Sequence, residues 1–185
     1  MKQIFFLSSN EYKIAEVQNI LNSDYISIIP VTVKINEIQS ESIEVIAIDK
    51  VIKAFKKTGH PILVEQTGLF LDDLGGFPGG LTQIFWDSIK ADDFCKYFGH
   101  TDTARVKAKT VLAYCDGKTI HTYEGEIAGI IVKAPRGDKS FQWDCVFQPN
   151  GCLETFAEMG AKKNEISMRK KALEAFRKEL DCERD

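Results

Sequence analysis

The sequence predicts an α/β fold in which helices flank an elongated, mixed central sheet. In the first third of the chain, short apolar runs alternate with segments whose apolar residues recur at helical spacing, a pattern typical of parallel strands joined by helices. In the second half, two long extended runs flank Asp116-Gly117, a strong hairpin signal that predicts antiparallel pairing. No linker, internal repeat or low-complexity tract divides the 185 residues, so we expect a single domain, 1–185.

The first strand is expected to end in a polar turn that begins a helix. Ile4 to Leu7 form a continuous apolar run, which indicates a buried strand. Ser8, Ser9 and Asn10 follow, and apolar residues then recur at helical spacing over 14–21. Residues 25–35 are predicted to form a second strand, interrupted by Pro30.

A second helix and a third strand are expected next. Ser42 is a good N-cap, and the apolar spacing predicts a helix from there to about Gly59. Ile62 to Val64 are predicted to form a buried strand with Glu65 and Gln66 at its C-terminal end. In open α/β sheets this is the usual place for site residues.

The rest of the chain shows turn, pattern and capping signals. They predict a glycine-rich loop over 75–80, a short helix over 92–98, hairpin strands over 105–114 and 119–132, a strand over 144–147, a short capped helix from Thr155 and a last helix over 164–180. The hairpin strands are the longest of these, so the second half of the sheet is expected to be antiparallel.

Composition restricts the possible functions. Apolar residues make up 44% of the chain and charged residues 28%, as in ordinary globular proteins, and the net charge of −3 argues against sequence-independent binding to a nucleic acid polymer. No apolar run approaches the ~20 residues of a membrane span, and the N-terminal run is too short for a signal peptide. The five cysteines form no CxxC pair and the three histidines are far apart, so we expect no zinc site, no membrane partner and a cytoplasmic location.

The turn formed by Ser8, Ser9 and Asn10 is a candidate phosphate site. Asn10 is a natural N-cap, which places Lys13 at the third helical position. The helix dipole disfavours a cation there by ~0.3–1 kcal/mol, whereas a bound anion would be held by the free backbone N–H groups and by the lysine. A solvated surface lysine is the alternative interpretation.

Lys50, Glu65 and the acidic residues before the second helix form another candidate group. Lys50 lies on an apolar helix stripe, so its side chain either extends to solvent or reaches a polar cleft. Glu65 follows a buried strand, where a carboxylate is costly unless it is paired or bound to a metal. Glu37 and Glu41 could join it around Mg²⁺, which proteins usually hold by one or two carboxylates plus phosphates.

The segment around Phe141 is a candidate base-binding platform. If it is extended, Phe141 and Trp143 share one face with Gln142 opposite, an arrangement that is more often core than ligand site. Stacking on an aromatic ring contributes ~1–3 kcal/mol whatever the base, so hydrogen bonds must discriminate between bases. Candidates for these bonds are Gln142, Asp144, Ser167 and Arg169. Lys163 and the arginine could equally be cations on a helix surface.

In order and spacing, these segments resemble the inosine triphosphate pyrophosphatase family, and the resemblance covers nearly the whole chain. Its anchors are Ser8-Ser9-Asn10, Lys13, Glu16, Glu37, Glu41, Lys50, Thr67-Gly68-Leu69, the run from Leu74 to Gly79, Gly125-Glu126-Ile127, the run from Ala134 to Gly137, Phe141, Trp143-Asp144, the run from Val146 to Pro149, Thr155, Ala157-Glu158-Met159, Lys163-Asn164, Ser167 and Arg169. That family hydrolyses non-standard purine nucleoside triphosphates to the monophosphate and pyrophosphate. The resemblance therefore implies two lobes, a nucleotide in the cleft between them, and a homodimer.

The resemblance also implies roles for individual residues. Lys13 and Lys50 would bind the triphosphate, and Glu37 and Glu65 would help to hold Mg²⁺. Phe141 would stack on the base. Four further residues would complete the base and phosphate contacts: Trp143, Asp144, Lys163 and Arg169.

Three positions depart from the pattern of the family. Gln66 stands where the family has the second of two acids, and an amide cannot accept a proton as a general base. Met168 replaces a histidine that helps to read the 6-oxo edge of the base, and methionine offers only soft apolar contact. Gln142 replaces a glycine, which adds bulk and two hydrogen-bonding groups.

Two functions are compatible with this pattern. The first is an active pyrophosphatase for inosine, deoxyinosine or xanthosine triphosphates, with Glu65, Gln66, Lys13 and Lys50 at the reacting phosphates. In that case Glu65, or a water molecule held by Glu37 or Glu41, must compensate for Gln66. The alternative is a catalytically weakened, nucleotide-binding member of the family that acts as a sensor or scavenger.

Overall fold

The protein is built on one mixed sheet. The computed structural model describes residues 2–100 and 104–182. Its strands are β1 (Lys2–Leu7), β2 (Ile26–Val31), β3 (Ile62–Leu71), β4 (Pro78–Gly79), β5 (Arg105–Cys115), β6 (Ile120–Ile131) and β7 (Phe147–Pro149). Their order is β2-β1-β3-β5-β6-β7, with β4 paired to β3 off this path. β1 pairs with β2 and β3 in parallel, and every other pairing is antiparallel, so the expected mixed sheet is confirmed.

Five α-helices accompany the sheet in the described part of the chain. They are α1 (Glu11–Leu21), α2 (Ile43–Thr58), α3 (Thr82–Phe98), α4 (Phe156–Met159) and α5 (Met168–Cys182). The capping expectations are confirmed, because Asn10, Ser42 and Thr155 cap α1, α2 and α4 with their side chains. None of these helices is long and apolar enough to cross a membrane.

β3 is longer than the sequence predicts. It continues through Glu65 and Gln66 instead of ending before them, because antiparallel pairing with β5 holds it along its whole length. The parallel pairing with β1 stops at Leu63, so Glu65 lies just beyond the parallel part of the sheet. Since side chains alternate along a strand, Glu65 and Gln66 face opposite sides of the sheet.

The hydrophobic core is divided along the long strands, which produces the two lobes. At one end, α1 and α5 cover one face of the sheet and α2 covers the other. At the other end, α3 and α4 pack with β7 around Phe94, Phe147 and Phe156, each at most 1% exposed. A buried Phe or Leu side chain contributes about 1.5–3 kcal/mol, so both lobes have cores of their own.

Two predicted helices have different starting points in the structure. The helix predicted over 92–98 begins at Thr82, and its apolar periodicity is hidden by a kink at Lys90. The helix predicted over 164–180 begins at Met168, because the Ser167 Oγ accepts a hydrogen bond from the Lys170 N–H at 3.1 Å and so caps the new helix. The turn over Gly160–Glu165 before it is a 3₁₀ helix.

Two predicted strands are also wrong in extent or position. The strand predicted over 25–35 covers only Ile26–Val31, where β1 provides a partner. The strand predicted over 144–147 is shifted to Phe147–Pro149, because Gln142–Cys145 form a 3₁₀ helix.

A glycine on β6 allows α5 to approach the sheet. A Cβ at Gly125 would overlap the Met168 carbonyl oxygen and crowd the Ala172 nitrogen. The first turn of α5 therefore rests directly on the β6 backbone. This contact places Arg169 above the centre of the sheet, opposite β3.

Candidate functional site

The turn after β1 forms the cationic end of a cleft. The Asn10 side chain accepts a hydrogen bond from the Lys13 N–H at 3.1 Å, and the Ser8 hydroxyl accepts one from the Asn10 N–H, also at 3.1 Å. Lys13 lies at the third helical position, as predicted, and its Nζ is 3.1 Å from Glu65 Oε1. Burial, together with the neighbouring Arg169, lowers the pKa of Lys13 against the opposing effect of Glu65.

Arg169 joins two buried carboxylates from distant parts of the chain. Its Nε donates to Glu65 Oε2 at 2.5 Å, and its Nη2 donates to Glu65 Oε1 at 3.0 Å. Its third nitrogen donates to Glu16, which also accepts a hydrogen bond from the Ser167 hydroxyl at 3.1 Å. Arg169, Glu16 and Glu65 are at most 4% exposed, so this is a buried ion cluster whose charge Lys13 brings to zero.

The cluster fixes the protonation state of Glu65. Burial alone would raise the pKa of this carboxyl, but Arg169 and Lys13 lower it well below its usual range. The same two carboxylates raise the pKa of Arg169 in spite of its burial. Thr67 also donates to Glu65 Oε1, at 3.0 Å, so the carboxylate oxygens of Glu65 are already well supplied with donors.

Lys50 and Glu37 form a second ion pair at the cationic end. Lys50 Nζ lies 2.6 Å from Glu37 Oε1 and 3.5 Å from the backbone oxygen of Glu65. Lys50 therefore reaches a polar cleft, one of the two alternatives left open by its helix position. The side chain of Glu37 is 39% exposed, whereas that of Glu65 is 2% exposed.

A cavity of about 510 Å³ lies over these groups. Its walls come from the end of β1, the turn before α1, residues 31–35 after β2, and Gln142 from the other lobe. The predicted residues that line it are Ser8, Ser9, Asn10, Lys13, Glu37, Lys50, Glu65 and Gln142. The structure thus brings the predicted phosphate residues together around one cavity.

The predicted metal ligands Glu37 and Glu65 differ in how accessible their carboxylates are to a cation. Glu37 is partly exposed on the cavity and has one lysine partner. Glu65 is buried under Arg169, Lys13 and Thr67. Among the described residues, no three His, Cys, Asp or Glu side chains are grouped closely enough to hold a metal ion by themselves. The geometry therefore fits a divalent cation bound by Glu37 together with ligand phosphates, with Glu65 in a supporting position.

The aromatic segment is not extended, so Phe141 and Trp143 do not share a strand face as predicted. Gln142 has φ of +45°, and the 3₁₀ turn that follows directs the two rings apart. Trp143 is 4% exposed and packs on Phe147 and Phe156, with ring centroids 5.7 and 6.4 Å away. Trp143 is therefore a core residue that supports the turn.

Phe141 is left partly exposed beside the cleft. The ring of Tyr12 meets it edge to face at 5.4 Å, and Lys163 Nζ lies 4.2 Å from its centroid. The same lysine is 2.5 Å from Asp144 Oδ2. Burial raises the pKa of Asp144, although Lys163 opposes the shift.

A second cavity, of about 350 Å³, opens on the Phe141 side of the cleft. Its polar and aromatic lining includes Tyr12, Glu16, Phe141, Asp144, Lys163 and Asn164. Asn164 Oδ1 is buried and has no hydrogen-bond partner in the described part of the chain. Tyr12, Glu16 and Asn164 line this cavity without having been predicted as site residues, although Glu16 and Asn164 are among the family anchors.

The remaining predicted residues surround these cavities. Met168 is 4% exposed and contributes mainly to the core, while Ser167 caps α5 and binds Glu16. A narrow gap of about 10 Å³ between the cavities is lined by Phe141, Asp144, Lys163, Ser167, Met168 and Arg169, among others. Gln66 is half-buried on the opposite side of β3 from Glu65.

The fold and the site define an α/β protein with a cleft between two lobes, cationic at one end and aromatic at the other. The chain belongs to the Ham1 family, whose sequence model matches residues 4–179. It is 38% identical over 178 residues to inosine triphosphate pyrophosphatase 1 of Trypanosoma cruzi, which covers 95% of this chain and 90% of the relative. It is 34% identical over 170 residues to the dITP/XTP pyrophosphatase of Hyperthermus butylicus, which covers 91% and 90%.

A solved structure supports the same relationship. The HAM1 protein of Coxiella burnetii superposes with a TM-score of 0.82 at 25% identity, over 98% of this chain and 99% of that one. The expected fold class and the expected family membership are therefore confirmed.

Proposed function

We propose that the protein is a nucleoside triphosphate pyrophosphatase that hydrolyses non-standard purine nucleoside triphosphates to the monophosphate and pyrophosphate. The observation that carries this proposal is the juxtaposition of the two cavities. Gln142 lines the cavity of about 510 Å³ that contains Lys13 and Lys50, the lysine-lined cavity. Its neighbour Phe141 lines the cavity of about 350 Å³ that contains Tyr12, the aromatic cavity. A ligand with a polyanionic chain at one end and a planar base at the other fits this pair, and the names of the relatives agree.

The triphosphate is proposed to bind in the larger cavity. Lys13 and Lys50 line it, together with Ser8, Ser9 and Asn10 of the turn before α1, and the start of a helix favours an anion. When phosphate oxygens bind, Lys50 exchanges Glu37 for a phosphate, whereas Lys13 keeps Glu65 as a partner and directs its remaining N–H groups to the phosphates. The positive groups then stabilise the charge that develops on the phosphates.

Magnesium is proposed to bind at Glu37. Once Lys50 turns to a phosphate, Glu37 is left as a partly exposed carboxylate on the same cavity. Mg²⁺ bound there with phosphate oxygens would neutralise charge on the triphosphate. This assignment keeps one of the two predicted metal ligands in direct contact and leaves Glu65 behind Lys13.

The base is proposed to stack on Phe141 and to displace Lys163 from its place over the ring. Asp144, Lys163 and Asn164 then offer polar groups to the base edge. The buried, unpartnered Asn164 Oδ1 is an acceptor for a ring N–H of an oxopurine base. Arg169 holds this end of the site in place through Glu16 and Glu65.

In the proposed reaction a water oxygen attacks the α-phosphorus, the bond from that phosphorus to the bridging oxygen breaks, and pyrophosphate leaves. The depressed pKa of Glu65 makes it a weak base. We therefore assign Glu65 the role of orienting Lys13 and Arg169. The attacking water is proposed to lie on the Glu37 side, where the carboxylate oxygen of Glu37 that would not contact the cation can take the proton.

The test is pyrophosphate release in the presence of Mg²⁺ from inosine, deoxyinosine and xanthosine triphosphates beside the four standard ones. We expect rapid pyrophosphate release from the non-standard group, with little orthophosphate. Lys13→Met is the matched loss-of-charge control and should lower the rate. A folded protein that binds these nucleotides without releasing pyrophosphate would support the weakened receptor instead.

Gln66 offers a separate test of the catalytic assignment. Gln66→Asp restores a carboxylate on the α2 side of β3, and general bases contribute about 10²–10⁴ in rate. Since the Glu37 side is proposed to take the proton, we expect kcat to stay close to that of the natural protein, and a rise of about tenfold or more would show that the missing acid limits the reaction. An unchanged kcat would show that the Glu37 side already supplies the base.

We also propose that the protein is a cytoplasmic homodimer. Its ligand is the nucleoside triphosphate substrate. The five free cysteines agree with a reducing compartment, and the family resemblance supports the dimer. Sedimentation analysis should give the mass of two chains. The mass of one chain at micromolar concentration would contradict the dimer.

A further inference from the structure

Two residues with side chains adopt the left-handed backbone region that favours glycine. Among residues 2–100 and 104–182, Gln142 has φ of +45° and Lys90 has φ of +56°, and every other positive φ belongs to glycine. Such a conformation is costly for a residue with a Cβ, so the surrounding structure must hold it. Gln142 begins the 3₁₀ turn beside the site, and Lys90 forms the kink in α3.

A chain of side-chain hydrogen bonds connects these two residues. Gln142 Nε2 donates to Gln83 Oε1 at 2.5 Å, and Gln83 Nε2 donates to Asp87 Oδ2 at 2.7 Å. Lys90 Nζ donates to the other oxygen of Asp87 at 2.8 Å. The first half of α3 therefore holds the turn that contains Gln142.

Asp87 determines which group donates in each hydrogen bond of this series. Hydrogen bonds from Gln83 and Lys90 lower the pKa of Asp87, so its ionised carboxylate only accepts. Gln83 must then direct its NH₂ group to Asp87 and its carbonyl oxygen to Gln142. Gln142 must in turn direct its own NH₂ group to Gln83, which leaves its Oε1 as an acceptor.

Gln142 lies where the two halves of the proposed nucleotide meet. Gln142 lines both the lysine-lined cavity and the narrow gap beside Phe141. Within the described residues, no donor contacts Gln142 Oε1. A nucleotide with its phosphates at Lys13 and its base on Phe141 has its sugar beside Gln142. The 2′ and 3′ hydroxyls of a ribose there can donate hydrogen bonds.

We propose that Gln142 is a sugar-specificity residue that accepts a hydrogen bond from a hydroxyl on the 2′,3′ edge of ribose, and that Gln83 is its positioning residue. The inference rests on the proposed function, since it takes the phosphate and base ends of the ligand from it. It extends that function by making the chain selective for ribonucleotides over nucleotides that lack one of these hydroxyls.

The experiment compares inosine triphosphate with its 2′-deoxy and 3′-deoxy forms. For each, kcat/KM is measured by pyrophosphate release and Kd by titration calorimetry, in the natural protein and in Gln142→Gly, Gln83→Ala and Ser88→Ala. Gln142→Gly removes the acceptor and also relieves the strained φ, so it should fold at least as well. Ser88→Ala is the matched control on α3, because Ser88 bonds only to its own helix at Ile84.

We expect the natural protein to favour the ribonucleotide over at least one deoxy form by about threefold to tenfold, the range for one hydrogen bond. Gln142→Gly should bring that ratio close to one, Gln83→Ala should reduce it, and Ser88→Ala should leave it unchanged. Unchanged ratios in Gln142→Gly would overturn the inference. If the natural protein binds these nucleotides without turnover, the proposed function fails, while the Kd ratios still decide the sugar assignment.

Discussion

At the scale of single residues, Arg169 dominates the site because it compensates two buried carboxylates at once. Arg169→Met would leave Glu16 and Glu65 buried without their main partner, and loss of one member of a buried ion pair typically costs about 3–5 kcal/mol. We expect the free energy of unfolding to fall by that amount in urea titrations, and nucleotide affinity to fall with it.

Arg177 is the matched control on the same helix. Its side chain is 47% exposed and lies 3.9 Å from Asp181. Arg177→Met should change the free energy of unfolding by no more than about 0.5 kcal/mol. Equal effects of the two substitutions would mean that the buried cluster does not stabilise the fold.

The ionisation of Glu65 predicts a pH dependence. Its pKa is lowered in the folded state by Arg169 and Lys13 in spite of its burial, so its stabilisation is present above the unfolded pKa of about 4.3 and is lost as the pH falls below it. The free energy of unfolding should therefore decrease between about pH 5 and pH 2. Glu65→Gln should make this decrease shallower; an identical slope would contradict the shifted pKa.

At the scale of elements, the start of α1 combines a cap with the proposed phosphate site. Asn10→Asp keeps a capping oxygen but adds a negative charge, whereas Asn10→Ala removes the cap. We expect Asn10→Ala to cost about 1 kcal/mol of stability. Asn10→Asp should retain stability but raise KM for the triphosphate, because its charge repels phosphate. Unfolding titrations and KM measurements on both variants separate the two roles.

The docking of α5 on β6 depends on the absence of a side chain at Gly125. Gly125→Ala should push the first turn of α5 outward and cost about 1–3 kcal/mol, the usual range for overpacking. Ala128→Val is the control, because this exposed position on the same strand has room toward solvent. Thermal unfolding should show a lowered Tm for the Gly125 variant only.

At the scale of the whole molecule, the proposed ligand touches both lobes. In the α,β-imido analogue of inosine triphosphate, an NH group replaces the oxygen that bridges the α- and β-phosphorus, so the proposed cleavage is blocked. This analogue should therefore stabilise the folded protein. At about 100 times Kd the stabilisation should approach 2.7 kcal/mol. Lys13→Met should lose most of the rise in Tm at the same analogue concentration. An equal rise in the variant would place the phosphates elsewhere.

The sequence was sufficient for the parts of this molecule that depend on local signals. The caps at Asn10 and Ser42 and the hairpin at Asp116-Gly117 all follow from neighbouring residues. The turn at Gln142 could not be predicted in this way, because its left-handed φ is held by α3 rather than by its neighbours. The extension of β3 depended likewise on β5, whose partner residues lie 35 to 47 positions further along the chain.

The sequence indicated which residues lie around the cleft but not which of them contact one another. Lys13, Lys50 and Phe141 lie on the cleft as expected. Trp143 borders the narrow gap between the cavities, but its ring packs in the core because a 3₁₀ turn redirects it. The pairing of Arg169 with Glu65 and Glu16 was hidden, since sequence separation carries no information about contact between buried charges.

The buried ion cluster has a consequence for how the protein is made. Arg169 follows Glu65 by 104 residues and Glu16 by 153, so the ribosome has already released both acids when the arginine is added. Until α5 docks, Glu16 on α1 and Glu65 on β3 have no guanidinium beside them. The nascent chain should therefore keep these two carboxylates hydrated, and their burial under α5 should be one of the last events of synthesis.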